Sequence, residues 1–297
     1  MTGLQYSSDA PFENIERFIS RMPSLSTTVM RVLEICNSPT TSPDDLNRVI
    51  ALDPVLTGQV LKVVNSAYYG LRSKIVSLPR AIIMLGMNTI KNLVISTAVL
   101  NSFGTRVSFR ALSMEKFWLH SVCAGVTAKQ LAVIKAIPVT EREEYFVGGL
   151  LHDLGKIPLN SLFPSEYKKI LNSLGAEGGS LYKAERESLG IDHMQVGGMI
   201  GDKWKLGGMI SDCLYHHHDP GNAQEEHRQK VYIIALANML SKLFEINSVG
   251  NLLPDRDAIE YLLTMNGFND FELDELKKNV LEEIEKAQVF LQLTMKG

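Results

Sequence analysis

The side chains best suited to chemistry are histidines and one aspartate in the second half of the chain. An adjacent pair, His152 and Asp153, stands in the stretch GGLLHDLGKI. Other histidines lie before and after this pair: His120, His193, and the run His216, His217 and His218. Imidazole and carboxylate groups are the ligands that divalent ions such as Fe, Mn and Zn accept. This set therefore predicts a metal site.

Helix geometry limits how the adjacent pair can share one ion. Neighbouring side chains on an α-helix point about 100° apart, so His152 and Asp153 both reach one ion only where the helix ends. Gly155 supplies such an end. Lys156 follows on the turn, where its ammonium can meet a phosphate oxygen. We take Asp153 and Lys156 as the candidate catalytic residues.

Each histidine also has a purely structural interpretation. His120 on an apolar helix can be a core histidine with a satisfied hydrogen bond, and His193 after Asp192 can be a loop histidine near a helix start. The triple histidine can be a solvated helix end that complements the helix dipole. The pair His152 and Asp153 is the hardest to explain in this way, because ionisable groups buried in an apolar stretch must be paired or coordinated.

Apolar residues recur at helical spacing along almost the whole chain, and alternating strand patterns are scarce. An all-α fold follows. Helix starts are predicted at Ser42-Pro43, Asp53-Pro54 and Leu78-Pro79. A capped helix is predicted from Ser113 to about Lys135, a turn at 138–142, and a further helix over 143–154.

Composition narrows the class of protein. The 297 residues are 45% hydrophobic and 21% charged, with a formal net charge of −3 and no long block of one charge, which argues against a nucleic-acid or membrane-surface protein. No secretory signal or transmembrane segment is expected. Three widely spaced cysteines indicate reduced thiols. We therefore expect a cytoplasmic protein that binds neither nucleic acid nor membrane.

Residues 21–95 resemble the HDOD family, the HD-related output domains of bacterial signalling proteins. The resemblance rests on RMPSLSTTVMRVLEI, SPDDLNRVIALDPVLTGQVLKVVNSAYYG and SLPRAIIMLGMNTIKNLV, which follow in order at family-like spacing. With the following helices it covers residues 17–225. It implies an N-terminal helical lobe at 21–100 packed on an HD-like lobe at 111–225, with a junction near 101–110. The helices of 226–297 are expected to complete the HD-like lobe.

The resemblance also implies roles for single residues. His120 matches the first histidine of HD domains, and His152 and Asp153 match the HD pair. By similarity to HD-GYP phosphodiesterases, the additional metal ligands are His193, His216 and His217. Lys156 matches the phosphate-facing lysine. The implied cofactor is one or two divalent transition-metal ions, Fe, Mn, Ni or Zn.

Three positions depart from the pattern of HD enzymes. Asn238 stands where they carry a closing aspartate, the GYP loop is absent after the histidine run, and Lys116 replaces a glutamate found in many two-metal members. An amide offers a neutral carbonyl in place of a charged ligand, so weaker metal binding is expected.

Two functions from different classes fit these features. The first is a signal-transduction output module that keeps the metal site and acts through interaction with signalling proteins. The alternative is a metal-dependent phosphohydrolase or phosphodiesterase whose phosphate ligand is a nucleotide or cyclic dinucleotide. A helical protein without any site is the third possibility, and an empty, apolar pocket would support it.

Overall fold

Helices make up all the regular secondary structure that the computed structural model describes, namely residues 10–36, 38, 40–103, 111–177, 179–244, 255–268 and 273–295. The predicted all-α class is confirmed. The first half contains α1 (Ala10–Arg21), α2 (Thr27–Cys36), α3 (Pro43–Ala51), α4 (Pro54–Val64), α5 (Leu78–Leu85) and α6 (Met87–Phe103). The second half contains α7 (Met114–Ile134), α8 (Val139–Leu151), α9 (Lys156–Leu162), α10 (Pro164–Glu177), α11 (Leu181–Leu189), α12 (His193–Trp204), α13 (Gly208–His216), a 3-10 turn (Pro220–Asn222), α14 (Glu225–Leu243), α15 (Arg256–Met265) and α16 (Leu273–Met295).

All three predicted helix starts are present, and at two of them, Ser42-Pro43 and Asp53-Pro54, a side chain satisfies free backbone donors of the first turn. The hydroxyl of Ser42 accepts from the Asp45 amide at 3.2 Å, and the Asp45 carboxylate accepts from the Ser42 amide at 3.0 Å. Asp53 accepts from the Leu56 amide at 2.9 Å. A proline occupies the first turn of both helices, where its missing N–H costs no hydrogen bond.

The structure differs from the sequence prediction around α8. The predicted turn at 138–142 belongs mostly to α8, which begins at Val139 and ends at Leu151. Pro138 occupies the N-cap position of this helix and Glu141 lies in its first turn, so the residues that indicated a turn serve as a helix start instead. Helices α1 and α9 were not predicted.

Helix α7 is buried along most of its length and packs against α8, α14 and α16. Its contact with α8 is close because glycines meet there. A Cβ on Gly149 would lie 2.7 Å from the Gly125 backbone, which is nearer than any side chain allows. The small residues therefore bring together the two helices that carry His120 and His152.

Helix α7 is long and apolar enough to span a membrane by composition, but 72% of its most apolar window is buried inside the protein. Such burial is typical of the core helix of a soluble protein. The bent pair α5 and α6 passes the same test only when both are counted as one span, with an angle of 116° between them.

The two halves of the chain pack on each other. Helix α6 contacts α8, and α16 contacts α4 and α6 as well as α7, so the C-terminal helix touches both halves. A buried polar group also joins them: Glu143 accepts hydrogen bonds from Tyr68 at 3.2 Å, Tyr69 at 3.1 Å and Lys129 at 2.8 Å. The division into two lobes stays a prediction, and most of the predicted junction, residues 104–110, lies outside the described residues.

Candidate metal centre

Two groups of potential ligands face each other in the second half of the protein. The first group contains His120, His152 and Asp153, and the second contains His193, His217 and His218. All are buried except His218, which is half-buried. Within each group the ligand atoms lie within 4.8 Å of one another.

Helix ends position most of these side chains. His152 is the C-cap of α8, His193 is the first residue of α12, and His217 is the C-cap of α13. Asp153 lies in the turn between α8 and α9. His120 is the exception, since it projects from within α7. The predicted requirement that the adjacent pair stand at a helix end is met.

Asp153 lies between the two groups and is fully buried. Its Oδ2 atom is 3.6 Å from His120 Nε2 and 3.3 Å from His152 Nε2. Its Oδ1 atom is 3.5 Å from His193 Nε2 and 3.6 Å from His217 Nε2. One carboxylate thus presents a different oxygen to each group, which is the arrangement of a bridging ligand.

Gly155 allows this approach. A Cβ at this position would lie 1.9 Å from the carbonyl oxygen of His193 and 2.6 Å from the Gly197 amide nitrogen. Only glycine lets the turn that carries Asp153 contact the first turn of α12.

Hydrogen bonds hold three imidazole rings in the orientation a metal ligand needs. Nδ1 of His152 donates to the Gly149 carbonyl at 2.6 Å, and Nδ1 of His217 donates to the Cys213 carbonyl at 2.9 Å. Nδ1 of His193 lies 2.5 Å from Glu185. With the proton on Nδ1, each Nε2 keeps its lone pair. Each of these three Nε2 atoms lies 3.3–3.6 Å from an oxygen of Asp153.

Glu185 was not predicted as a site residue. It is fully buried. Its carboxylate accepts hydrogen bonds from the His193 backbone amide at 2.9 Å and from the Tyr167 hydroxyl at 2.6 Å. Its sequence context in α11 resembles an ordinary solvated helix, so only the tertiary contact with His193 reveals its role.

The protonation of the centre suits metal binding. Burial lowers the pKa of His217 to about 3, and it also holds the pKa values of His120 and His218 well below the usual range. Burial opposes ionisation of Asp153 as well, but the interactions of this carboxyl group with His152 and Lys156 outweigh burial and lower its pKa. The neutral imidazoles of His120, His217 and His218 and the ionised carboxylate of Asp153 are the ligand forms that divalent metals bind.

Two buried polar atoms at the centre of the cluster, His152 Nε2 and Asp153 Oδ1, have no hydrogen-bond partner among the described residues. Buried polar atoms are rarely left unpaired, and the donor set is imidazole-rich. The residues therefore fit one or two divalent transition-metal ions.

The sequence prediction named His216, which the structure does not bring into either group. His216 is the last residue of α13, is half-buried, and its ring lies 5.9 Å from that of Tyr215. His218 lies in the second group instead, and its ring stacks on Tyr182 at 4.9 Å. The residue at which α13 ends determines which histidines of the run face inward. The run of three histidines does not itself indicate where that helix ends.

Lys156 and Asn238 both lie at the centre, as their sequence positions predicted. The ammonium of Lys156 is 2.5 Å from Asp153 Oδ2, and the side chain is buried. The amide oxygen of Asn238 is 3.1 Å from His120 Nε2. Lys116 is exposed on the first turn of α7.

Comparisons with known proteins identify the relatives of this chain. The HDOD domain family model matches residues 22–220. An uncharacterized protein of Treponema pallidum (strain Nichols) is 22% identical over 227 residues, which are 76% of this chain and 43% of that relative. The chain therefore spans less than half the length of this relative.

Solved structures share the fold. A crystal structure of an HDOD domain protein from Geobacter sulfurreducens has a TM-score of 0.73 at 22% identity, covering 96% of this chain and 99% of that one. A protein from Marinobacter aquaeolei VT8, named as a candidate signal-transduction protein, has a TM-score of 0.71 at 18% identity, covering 99% and 67%. A protein from Shewanella amazonensis SB2B, named as a candidate metal-dependent phosphohydrolase, has a TM-score of 0.60 at 17% identity, covering 94% and 99%.

Proposed function

The chain belongs to the HDOD domain family, and we propose that it is a bacterial signal-transduction output module that retains an HD-type metal site and acts through protein interaction. The observation that carries this proposal is the pair of ligand groups around Asp153 combined with Asn238 at their edge. Side chains that would hold a metal are present in two groups, whereas an amide stands where the resemblance implies the closing carboxylate of an HD enzyme.

Asn238 supports a binding role over fast hydrolysis. An amide removes one negative charge from a site that must balance a dication, and it removes a strong oxygen ligand. His120 Nε2 also lies against the Asn238 oxygen at 3.1 Å, so this imidazole is held by the amide. We infer that a metal ion at this centre mainly stabilises the fold around it.

The first half of the chain offers a surface for a protein partner. Four large apolar side chains on or beside the packed helices α3, α4 and α5 are strongly exposed: Leu52 (81%), Val55 (70%), Val76 (72%) and Ile83 (79%). A contiguous exposed apolar patch is typical of an interaction site, and we infer that these four side chains form one. Signalling proteins are the partners we expect there, in the cytoplasm.

A paired interaction measurement tests this proposal. Wild type, Ile83→Asp and the control Leu281→Asp, which alters an apolar residue of α16 that is 46% exposed, are each screened against the signalling proteins of the source bacterium. We expect Ile83→Asp to lose a partner that wild type and the control both bind. Identical partner sets for all three proteins would contradict the proposed surface.

The second candidate function is a metal-dependent phosphohydrolase, which the position of Lys156 favours. A bound divalent ion supplies Lewis-acid chemistry. The imidazoles and Asp153 would hold it, and the ammonium of Lys156, 2.5 Å from Asp153 Oδ2, would neutralise a phosphate oxygen. A nucleotide or cyclic dinucleotide is the expected substrate class.

Hydrolysis assays separate the two functions. Wild type and Asp153→Ala are assayed with bis-p-nitrophenyl phosphate and p-nitrophenyl phosphate in the presence of Mn, Fe or Ni. The output-module proposal predicts turnover that is weak and the same in both proteins. Fast turnover that requires both a metal and Asp153 would establish the phosphohydrolase instead.

A further inference from the structure

Two ring nitrogens of the second ligand group face each other at close range. Nε2 of His193 lies 3.3 Å from Nε2 of His217. The Nδ1 proton of His217 is donated to the Cys213 carbonyl at 2.9 Å, and Nδ1 of His193 lies 2.5 Å from the Glu185 carboxylate. Each Nε2 atom therefore carries a lone pair, and a proton between them would leave one buried ring positively charged. Two lone pairs this close repel each other unless a metal cation binds both.

The spacing of the ligand atoms fits a four-coordinate ion. Oδ1 of Asp153 is 3.5 Å from His193 Nε2 and 3.6 Å from His217 Nε2, so the three atoms form a nearly equilateral triangle. Ligands of tetrahedral zinc lie about 2.0–2.2 Å from the metal and hence roughly 3.3–3.6 Å from one another. Oδ1 has no hydrogen-bond partner among the described residues. His218 belongs to the same group, and we expect it to supply the fourth ligand.

The corresponding atoms of the first group are already engaged. Oδ2 of Asp153 lies 3.3 Å from His152 Nε2 and 3.6 Å from His120 Nε2, which is a similar spacing. However, the Lys156 ammonium donates to this oxygen at 2.5 Å, and its side chain is buried. The Asn238 amide oxygen accepts from His120 Nε2 at 3.1 Å, so the nitrogen that faces Asp153 carries a proton instead of a lone pair. A metal ion in the first group would have to displace both contacts.

The charges of the centre also favour a single ion. In the described part of the chain, the ionised side chains that contact the ligands or belong to them are the carboxylates of Asp153 and Glu185 and the ammonium of Lys156. Together they leave one negative charge, so one divalent ion brings the net charge to +1, whereas two bring it to +3. A charge of +3 in a buried site is costly, so the ammonium and a second ion exclude each other.

We propose that this centre holds a single divalent ion, bound by Asp153 Oδ1 and the three histidines of the second group, and that the Lys156 ammonium occupies the place of a second ion. The HD pair then contributes a carboxylate oxygen to the metal, while the first group binds no ion of its own. This inference rests on the proposed function, because it concerns the same metal site. It adds the number of ions, their position and a role for Lys156 in excluding a second ion.

Zinc binding by four proteins tests the position of the ion. Wild type, His120→Gln, His217→Gln and the control His216→Gln, which alters the adjacent histidine outside both groups, are titrated with Zn²⁺ by equilibrium dialysis. We expect one ion per chain in wild type, His120→Gln and His216→Gln, and binding at least about tenfold weaker in His217→Gln. His193→Gln should give the same loss, and circular dichroism shows which variants are folded. Equal loss in His120→Gln and His217→Gln would overturn the proposed position.

Variants of Lys156 test the second part of the proposal. Lys156→Met removes the ammonium and frees Asp153 Oδ2, so it should bind a second Zn²⁺ ion. Lys156→Arg keeps the charge and should bind one ion, as wild type does. Lys156→Gln is a second neutral variant, which should follow Lys156→Met. If folded Lys156→Met and Lys156→Gln both bind one ion, the ammonium does not exclude a second ion and the proposal is wrong.

The number of ions in wild type separates this inference from the proposed function. One ion per chain supports both. Two ions in wild type would overturn the single-ion proposal but leave the metal site intact. A wild type that binds no Zn²⁺ even in excess would overturn the metal site and this inference together.

Discussion

The contact at Gly155 gives the sharpest prediction for how the centre is assembled. In Gly155→Ala the new Cβ would lie 1.9 Å from the His193 carbonyl oxygen, 2.6 Å from the Gly197 nitrogen and 2.8 Å from the His193 carbonyl carbon. All three atoms belong to the backbone of α12, so no side chain can rotate away. The helix itself must move.

Helix α12 must move by about one ångström or more. Contacts closer than 3.0 Å are essentially never seen for a Cβ, so the 1.9 Å contact must lengthen by at least 1.1 Å. Metal–ligand distances tolerate only about 0.2 Å. Overpacking of this kind costs roughly 1–3 kcal/mol, and we expect the upper end of that range because the obstacle is backbone.

Urea denaturation and elemental analysis measure the two consequences. Gly155→Ala should be destabilised by about 3 kcal/mol and should lose metal. The control Gly58→Ala alters an exposed glycine of α4, where an added Cβ would have no atom within 4 Å. Its free energy of unfolding should rise by about 0.5–1 kcal/mol, because alanine has the higher helix propensity. Wild-type stability and metal content in Gly155→Ala would refute the proposed close approach.

Three further predictions follow from the same geometry. Asn238→Asp restores a carboxylate 3.1 Å from His120 Nε2 and should raise metal affinity in a competition titration with a chelator; unchanged affinity would show that this position is not a ligand position. The pKa of His217 falls from 6.5 to about 3 on folding, so the unfolded chain binds more protons than the folded protein below pH 6.5. The free energy of unfolding of the metal-free protein should therefore fall by about 2 kcal/mol between pH 8 and pH 5 from this residue alone. Equal urea midpoints at the two pH values would contradict this prediction. Because α16 packs against α4, α6 and α7, calorimetry should show one unfolding transition, and two well-separated transitions would show independent lobes.

Features set by local sequence were predicted well. The helix starts at Ser42 and Asp53 depend on a capping side chain and a following proline, all within four residues. The placement of His152 and Asp153 at a helix end was predicted from Gly155, although α8 ends at Leu151 and not at residue 154 as predicted. The family resemblance added the positions of His120 and His193.

Features set by tertiary contacts were not predictable in the same way. His218 enters the second group in place of His216 because α13 ends at His216 and the chain then turns toward Tyr182. Glu185 lies on a helix whose local sequence is ordinary, and its importance comes from its contact with His193, eight positions away. Such contacts between residues on different helices cannot be predicted from the local sequence around either residue.

Metal stoichiometry tests the central claim most directly. Wild type, Asp153→Ala and the control Asp274→Ala, which alters an exposed carboxylate of α16, are purified without chelator or added metal and analysed for Fe, Mn, Ni and Zn. Because both oxygens of Asp153 face the two ligand groups, we predict at least one ion per chain in wild type and in Asp274→Ala, and little or none in Asp153→Ala. Equal, substoichiometric metal in all three proteins would contradict the claim that this cluster is a metal centre.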